Sequence, residues 1–108
     1  MPLAFLCAAA IAIDGDTLRC ANISQANGRV RMARINAAEM DTEAGPAAKR
    51  ALAQLLTGPV RCAQVDAYPQ RRGNQETDRY GRIVARCRVG PMDLGAEMLR
   101  AGQAQVWP

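Results

Sequence analysis

The chain has 108 residues, 49% of them hydrophobic, which is enough for one modest core and predicts a single domain over residues 1–108. Its formal net charge of +4 and its pI near 9.2 favour an anionic partner. It contains no His, which excludes His metal ligands and nucleophile pairs that depend on a His base. Catalysis is thereby restricted to carboxylates, arginines and a hard metal ion that binds oxygen.

All but one of the 14 basic residues are Arg, the exception being Lys49. The Arg side chain is a planar fork that pairs with two phosphate oxygens at once, whereas Lys is a point charge. GC-rich coding also produces an Arg-, Ala- and Gly-rich chain. The positions of the arginines therefore have to decide between a functional and a compositional origin.

The first half of the chain is typical of a β-meander. An apolar strand over residues 4–13 is followed by an Asp-Gly-Asp turn at 14–16 and a second strand at 17–23, which together predict a hairpin. The segment 28–35 then alternates apolar residues with arginines, as expected of a third strand that is buried on one face. No stretch reaches the roughly 18 consecutive apolar residues of a membrane helix.

Residues 45–59 carry the start and stop signals of a helix. Pro46 suits the first helical position, and Gly58 lies where the chain would turn left-handed at the helix end. The apolar stripe of this helix consists of Ala51, Leu52, Leu55 and Leu56.

The second half predicts two more strands, at 60–65 and 83–89, separated by a polar loop at 66–82. A short second helix follows, with Asp93 as its N-cap. Its apolar face consists of Leu94, Met98 and Leu99. Three strands, a helix, two strands and another helix predict an OB-fold, a five-stranded β-barrel with two helices packed on it.

Three short stretches carry residues suited to chemistry. "IDGDT" at 13–17 places two carboxylates on a tight turn, "RMARINAAE" at 31–39 joins an Arg to a Glu, and "TDRYGR" covers 77–82. Taken alone, the first stretch is explained as a structural turn, in which Asp and Gly are common for backbone reasons. The other two, taken alone, are explained as charged residues exposed to solvent. Their order along one chain is more specific than any of them alone.

In that order the stretches resemble the staphylococcal nuclease-like, or thermonuclease, family, whose members carry an "IDGDT" turn, an Arg leading to "DxPE", and "DxYGR". The resemblance covers about residues 7–107 and includes "GPAAKRAL" and "DLGAEMLRAGQA" in the two predicted helices. It implies an OB-fold and a calcium-dependent nuclease that hydrolyses phosphodiester bonds of single-stranded DNA or RNA. It implies no membrane partner, and we expect a monomer.

The resemblance also implies a role for individual residues. It assigns catalysis to Arg31 and Arg82, which would grip the phosphate, and to Glu39, which would act as the general base. It assigns the Ca²⁺ site to Asp16, Asn36 and the backbone carbonyl of Ala37, with Asp14 beside them. It assigns substrate contacts to Arg79, Tyr80 and Trp107. Two Arg forks and one divalent ion can stabilise the charge that develops at phosphorus, and calcium needs no His. Arg29 and Arg34 are expected to be solvated.

The chain departs from the family motif at two positions. Asn36 stands where the family has Asp, so that the site loses a full negative charge and its calcium affinity should fall. Ala38 stands where the family has Pro, which frees the backbone that positions Glu39. Asp41 and Glu43 are near enough in sequence to restore some of the lost charge.

The four cysteines, Cys7, Cys20, Cys62 and Cys87, form no CxxC pair, which with the absence of His argues against zinc. Their even number suits disulfides in an oxidising compartment, although buried free thiols remain an alternative. In the family fold the strands of Cys62 and Cys87 are neighbours, which supports a bridge between them. A Cys7–Cys20 bridge has less support, because the two residues flank the first hairpin at unequal distances from its turn.

The apolar segment at 3–13 lacks the basic start and the cleavage site of a signal peptide, and we interpret it as a strand. We expect a secreted or periplasmic protein whose export signal lay upstream. Two other functions stay open. A degenerate OB-fold module would bind single strands or nucleotides without turnover, and a structural or protein-interaction domain would do neither.

Overall fold

In a computed structural model of the chain, residues 4–73, 75 and 77–107 are described. Their secondary structure, in chain order, is β1 (Ala4–Cys7), β2 (Ala10–Ala12), β3 (Thr17–Cys20), β4 (Arg29–Met32), β5 (Ile35–Ala37), α1 (Gly45–Leu55), β6 (Val60–Gln64), β7 (Ile83–Val89), β8 (Met92–Asp93), α2 (Leu94–Arg100) and β9 (Ala104–Val106). A 3₁₀ turn at Gln25–Gly28 precedes β4. In this part of the chain, neither helix is long and apolar enough to cross a membrane.

The main sheet follows a path that returns to its starting segment. Its strand order is β1-β6-β7-β4-β3-β2, with β4 and β7 parallel and the other neighbours on this path antiparallel. The two end strands, β1 and β2, are halves of one chain segment separated only by Ala8 and Ala9. The sheet therefore curls into a five-stranded barrel, and the predicted OB-fold is confirmed.

The predicted strand at 4–13 is thus two strands, because the segment leaves β6 at Cys7 and joins β3 from Ala10 onward. Leu3 lies outside the described residues. A disulfide joins Cys7, at the end of β1, to Cys20, at the end of β3. This bridge holds the seam at which the barrel changes from one half of the segment to the other.

The second disulfide joins Cys62 and Cys87, which are direct partners in the antiparallel register of β6 and β7. The predicted bridge is confirmed, and the bridge that had less support from sequence, Cys7–Cys20, is formed as well. Both pairs are buried in the core. Two disulfides in so small a domain indicate an oxidising, extracellular environment.

Helix α1 closes one side of the core. Pro46 occupies its first turn, and Leu52 is fully buried, with the rest of the predicted stripe packed partly buried around it. The helix ends earlier than predicted, at Leu55, and Gly58 does not have the left-handed conformation expected of it. The chain instead leaves the helix through Leu56, at φ −83° and ψ 66°, so no glycine is required.

Helix α2 packs on β7 and contacts α1, and it begins as predicted. The side chain of Asp93 accepts a hydrogen bond from the Ala96 backbone N–H at 2.9 Å, which caps the helix. Leu94 and Met98 are fully buried, and Leu99 packs against the core from its edge. After Gly102 turns the chain at φ 72°, strand β9 follows, which the sequence did not indicate.

The predicted third strand is also divided. It ends as β4 at Met32 and resumes as β5 at Ile35, because Arg34 takes a left-handed conformation with φ 69°. β5 then leaves the barrel sheet and pairs with β9, with Asn36 opposite Gln105. This bend carries the residues after β4 away from the barrel wall and over the cleft described below.

Loss of the second disulfide should destabilise the protein measurably. The bridge closes a chain separation of 25 residues, for which loop-closure entropy gives about 3 kcal/mol. We expect Cys62→Ala/Cys87→Ala to lower the free energy of unfolding in urea by that amount without reductant, and much less when reductant is added to both proteins. Free thiols titrated in the native, unreduced protein would contradict the bridges.

Candidate active site

A cleft of about 560 Å³ opens where the end of β4 faces the loop between β6 and β7. The predicted site residues that line it are Asp14, Asp16, Arg31, Asn36, Glu39, Arg79, Tyr80, Arg82 and Trp107. Ala37 is buried and is not among the residues that line the cleft; its backbone N–H, rather than the carbonyl named in the prediction, contacts Asp16. The three stretches singled out in the sequence therefore come together at one place.

The carboxylate of Asp16 lies at the base of the cleft with only 5% of the residue exposed. Its Oδ2 accepts a hydrogen bond from the Ala37 backbone N–H at 2.8 Å and is 3.4 Å from the Arg31 guanidinium. Its Oδ1 accepts from the Thr17 hydroxyl at 3.2 Å. The turn that holds Asp16 packs closely, because a Cβ added at Gly15 would lie 2.7 Å from Ala37 and from Ala48.

The pKa of Asp16 is raised from 3.8 to about 6, chiefly by burial. A side-chain hydrogen bond to Asp14 also raises this pKa, whereas the Ala37 N–H and the Arg31 charge lower it. The Asp14 carboxylate also accepts the Asp16 backbone N–H at 3.0 Å. Two carboxylates thus share the turn, and the more buried one carries a charge that its surroundings compensate only in part.

Arg31 and Asn36 are linked directly. The Arg31 Nη2 donates to the Asn36 Oδ1 at 3.3 Å, in addition to its ion pair with Asp16. The Nη1 of the same guanidinium donates to the Met32 carbonyl at 2.8 Å. The Asn36 amide oxygen therefore faces the same guanidinium as the buried carboxylate, and both oxygens are of the type that a hard cation accepts.

Arg82 is held by a carboxylate that sequence reasoning missed. Its Nε and Nη2 both lie 2.8 Å from the Asp78 Oδ2, and its Nη1 donates to the Thr17 hydroxyl at 3.4 Å. Asp78 also accepts the Arg82 backbone N–H through Oδ1 at 3.0 Å. The "DRYGR" spacing was a usable signal for Asp78, because a carboxylate four residues before an Arg can close such a turn.

Glu39 is exposed at the cleft edge, but its backbone is fixed. Its carbonyl accepts from both the Thr42 N–H, at 3.0 Å, and the Thr42 hydroxyl, at 2.6 Å. Gly45 packs so closely on this carbonyl that a Cβ there would clash with it. Thr42 and Gly45 thereby supply local restraint at the position where Ala38 removes a proline.

Aromatic rings and arginines form the opposite wall. The guanidinium carbons of Arg79 and Arg82 lie 5.0 and 5.1 Å from the centre of the Tyr80 ring, within cation–π range. Trp107 is 56% exposed at the rim, where its backbone N–H donates to the Arg34 carbonyl. This wall offers exposed π-faces beside positive charge.

Tyr68 and Arg71 belong to the same wall and were not predicted. The Tyr68 hydroxyl accepts the Arg79 backbone N–H at 2.8 Å, and Arg71 lies 4.3 Å from the centre of the Tyr68 ring. Arg34 is exposed, as expected. Arg29, expected to be solvated, is instead half-buried and donates to the Tyr80 carbonyl at 3.2 Å.

The cleft offers a small set of oxygen donors to a cation such as Ca²⁺. Among the described residues no group of three or more carboxylates, cysteines or histidines is placed to hold a metal. The oxygens that converge are the carboxylates of Asp14 and Asp16 and the amide oxygen of Asn36, all hard donors. The partly uncompensated charge of Asp16 is what a divalent cation would neutralise. These oxygens are of the type that such an ion accepts, but only two of the three belong to carboxylates.

The raised pKa of Asp16 gives a pH-dependent stability. Because the folded pKa, about 6, lies above the unfolded value of 3.8, the carboxyl stabilises the fold fully below pH 3.8 and loses this contribution as pH rises through 6. In metal-free buffer at pH 7.5, Asp16→Asn should raise the free energy of unfolding by about 1 to 2 kcal/mol. At pH 4 the gain should largely disappear.

The control is Asp41→Asn, which removes an exposed carboxylate near the cleft and should change the stability little at either pH. Chemical unfolding in EDTA measures both variants. A less stable Asp16→Asn protein at pH 7.5 would show that the charged carboxylate is a net stabilising group.

A comparison with protein-family models matches residues 29–108 to the staphylococcal nuclease homologue family. The match includes Arg31, Glu39 and Arg82, whereas the turn with Asp14 and Asp16 precedes it. Among curated proteins, no match to the chain is found. Because the family match spans well over half of the chain, and the fold is an OB-barrel with these residues in one cleft, the chain belongs to the staphylococcal nuclease homologue family.

Proposed function

We propose that the chain is a nuclease that hydrolyses phosphodiester bonds of DNA or RNA, acting as one domain over residues 1–108. The observation that carries this proposal is the convergence of Arg31, Arg82 and Glu39 on one cleft beside a buried carboxylate. Membership of a nuclease family gives the reaction class.

In this proposal the two arginines bind the scissile phosphate. Arg82 is preorganised, since the two contacts to Asp78 fix the guanidinium plane before substrate arrives. Arg31 reaches the cleft from β4, and part of its guanidinium faces the buried carboxylate. Fixed positive charge of this kind stabilises the extra negative charge that develops on the phosphate oxygens during hydrolysis.

Glu39 is the proposed general base. It takes a proton from a water molecule as the water oxygen bonds to phosphorus, and the ester P–O bond on the far side breaks. The products are a phosphate monoester and a hydroxyl, and the leaving oxygen gains a proton. The exposed position of Glu39 lets water reach its carboxylate, while Thr42 holds its backbone in place.

Asp16, Asn36 and the Ala37 carbonyl, with Asp14 nearby, are the groups that would hold Ca²⁺. When bound, the ion supplies Lewis-acid stabilisation of the phosphate oxygens. The charge count of this set, two carboxylates and one amide, supports weak rather than tight binding. Arg79, Tyr80 and Trp107 would contact the nucleotide.

A binding module without turnover is the second candidate, and one observation favours it. Arg31 Nη2 contacts both the Asp16 Oδ2 and the Asn36 Oδ1, so that positive charge already faces the oxygens of the candidate metal site. In this case the cleft would still hold a nucleotide through its arginines and aromatic rings.

With either function, we further propose that the protein acts outside the cytoplasm, secreted or periplasmic, where its two disulfides are stable.

Replacement of the base separates the two functions. Glu39→Gln should lower the rate of single-stranded DNA cleavage by about 10²- to 10⁴-fold, the usual contribution of a general base, while oligonucleotide binding stays within twofold. The matched control is Glu43→Gln, an exposed carboxylate in the same loop, which should cleave normally. A wild-type protein that cleaves nothing with calcium, magnesium or manganese would leave only the binding module.

Restoring charge at position 36 tests the metal site. Asn36→Asp should tighten calcium binding at least tenfold and raise the cleavage rate at low calcium, because it adds an anionic ligand. Calorimetry measures the affinity, and Trp107 fluorescence offers a second readout at the cleft rim. Asn27→Asp, an exposed change outside the cleft, is the control. Unchanged calcium affinity in Asn36→Asp would exclude position 36 as a ligand.

A further inference from the structure

A second cluster of arginines lies on the outer face of the barrel, away from the proposed catalytic residues. Arg61 on β6 and Arg86 and Arg88 on β7 are all exposed, and we call these three the basic strip. Arg61 lies directly opposite Arg88 in the antiparallel register. Like charges placed opposite each other destabilise a sheet, so the fold gains nothing from this pairing.

The charges of the basic strip are largely uncompensated. The Arg88 side chain donates to the Gly90 carbonyl at 2.9 Å, and in the described part of the chain the side chains of Arg61 and Arg86 make no hydrogen bond or ion pair. Asp93 is the one carboxylate among the described residues that line this surface. It lies opposite Arg88 in the register of β7 and β8, and its side chain caps helix α2. The strip therefore presents guanidinium groups that are free to bind an external anion.

The strip is connected to the cleft. A hollow of about 400 Å³ lies over Arg61, Arg86 and Arg88, and a second one of about 240 Å³ is lined by both Arg86 and Arg34. Arg34 also lines the cleft. The three hollows therefore adjoin one another and form a line of depressions from the proposed active site, past the exposed Arg34 at the β4–β5 bend, to the basic strip.

Strand β7 runs along this path. Its side chains alternate, so that Val84 lines the cleft while Arg86 and Arg88 follow on the same outward face. Successive outward residues are about 7 Å apart along a strand, close to the spacing of neighbouring phosphates in an extended single strand. Leu6 and Ala63 give the hollow an apolar floor beside the arginines, on which bases could rest.

We propose that this line of depressions is a track for a single nucleic-acid strand that extends beyond the cleft, with its phosphates on Arg34, Arg86, Arg88 and Arg61. This inference depends on the proposed function in one respect: it assumes that the same strand also binds in the cleft. An acidic peptide would share the charge, but adjacency to the cleft and the phosphate-like spacing favour a phosphodiester backbone. The track makes long strands bind better than short ones.

The test compares two double variants of equal charge. Arg86→Gln/Arg88→Gln removes two arginines of the track, and Arg19→Gln/Arg50→Gln removes two exposed arginines that line none of the three hollows. Binding of labelled oligo-dT of about 4 and about 16 nucleotides, the range of site sizes of OB-folds, is measured by fluorescence anisotropy in EDTA, which prevents cleavage. Thermal melting checks that each variant is folded.

The track variant should bind the long oligonucleotide on the order of tenfold more weakly, with a salt dependence reduced by about 1.4 in log–log slope, the value for two lost single-strand contacts. Its binding of the short oligonucleotide should change less than twofold. The control should show neither length-dependent effect. These readouts need no cleavage, so a protein without nuclease activity would overturn the proposed function and leave the track intact.

Any of three results in the binding experiment would overturn the track. The long and short oligonucleotides could lose affinity equally, the control could lose as much as the track variant, or the wild type could bind neither oligonucleotide. Competition by poly-glutamate at the same charge concentration as well as by oligo-dT would also overturn it, since the strip would then be a general acidic-peptide surface.

Discussion

The contact between the Asp16 carboxylate and the Ala37 backbone N–H is the constraint on which the rest of the cleft depends. It joins the turn before β3 to β5, across 21 positions of sequence, at a point where almost no water reaches. The same oxygen faces Arg31 on β4. Three segments, the turn before β3, β4 and β5, thus meet at one buried carboxylate. The contacts of this carboxylate fix where the candidate catalytic groups lie.

This constraint is costly to the free energy of folding. A carboxylate in so dry a place has a pKa near 6, which means that folding disfavours its charged form at neutral pH. A hydrophobic side chain would have filled the same space without this cost. The barrel tolerates the charge because two disulfides, Cys7–Cys20 and Cys62–Cys87, and a closed sheet supply stability elsewhere. A destabilising buried charge that is offset by stability elsewhere in the fold is typical of sites in which charge serves binding or chemistry.

The sequence was sufficient for the barrel and its helices because periodicity and caps are local signals. It could not locate the break at Arg34, since a left-handed Arg has no local signature and is imposed by the pairing of β5 with β9. It misassigned Gly58 for the converse reason: a glycine after a helix permits a left-handed turn but does not require one. Both errors concern places where tertiary contacts decide the backbone.

The sequence motifs identified the main residues of the cleft, but not the residues that position them. Arg31, Arg82 and Glu39 belong to recognisable stretches, whereas Thr42, which fixes the Glu39 backbone, is an ordinary Thr in a loop. Its role depends on a carbonyl oxygen, and sequence does not show where that oxygen points. Asp78 is intermediate, because its spacing from Arg82 was visible although its bidentate contact was not.

The substitution at Asn36 acquires a physical meaning from these contacts. With Asn there, the Arg31 guanidinium faces one buried carboxylate and one neutral amide, so that less negative charge is left uncompensated without a cation than an Asp at position 36 would leave. An Asp would add a second negative charge to the same guanidinium, and the excess would have to be neutralised from outside. A chain with Asn36 is therefore less destabilised when no ion is bound, and gains less free energy when one binds. At the proposed calcium site, a weak affinity for the ion and a more stable metal-free cleft would both follow from the same missing charge.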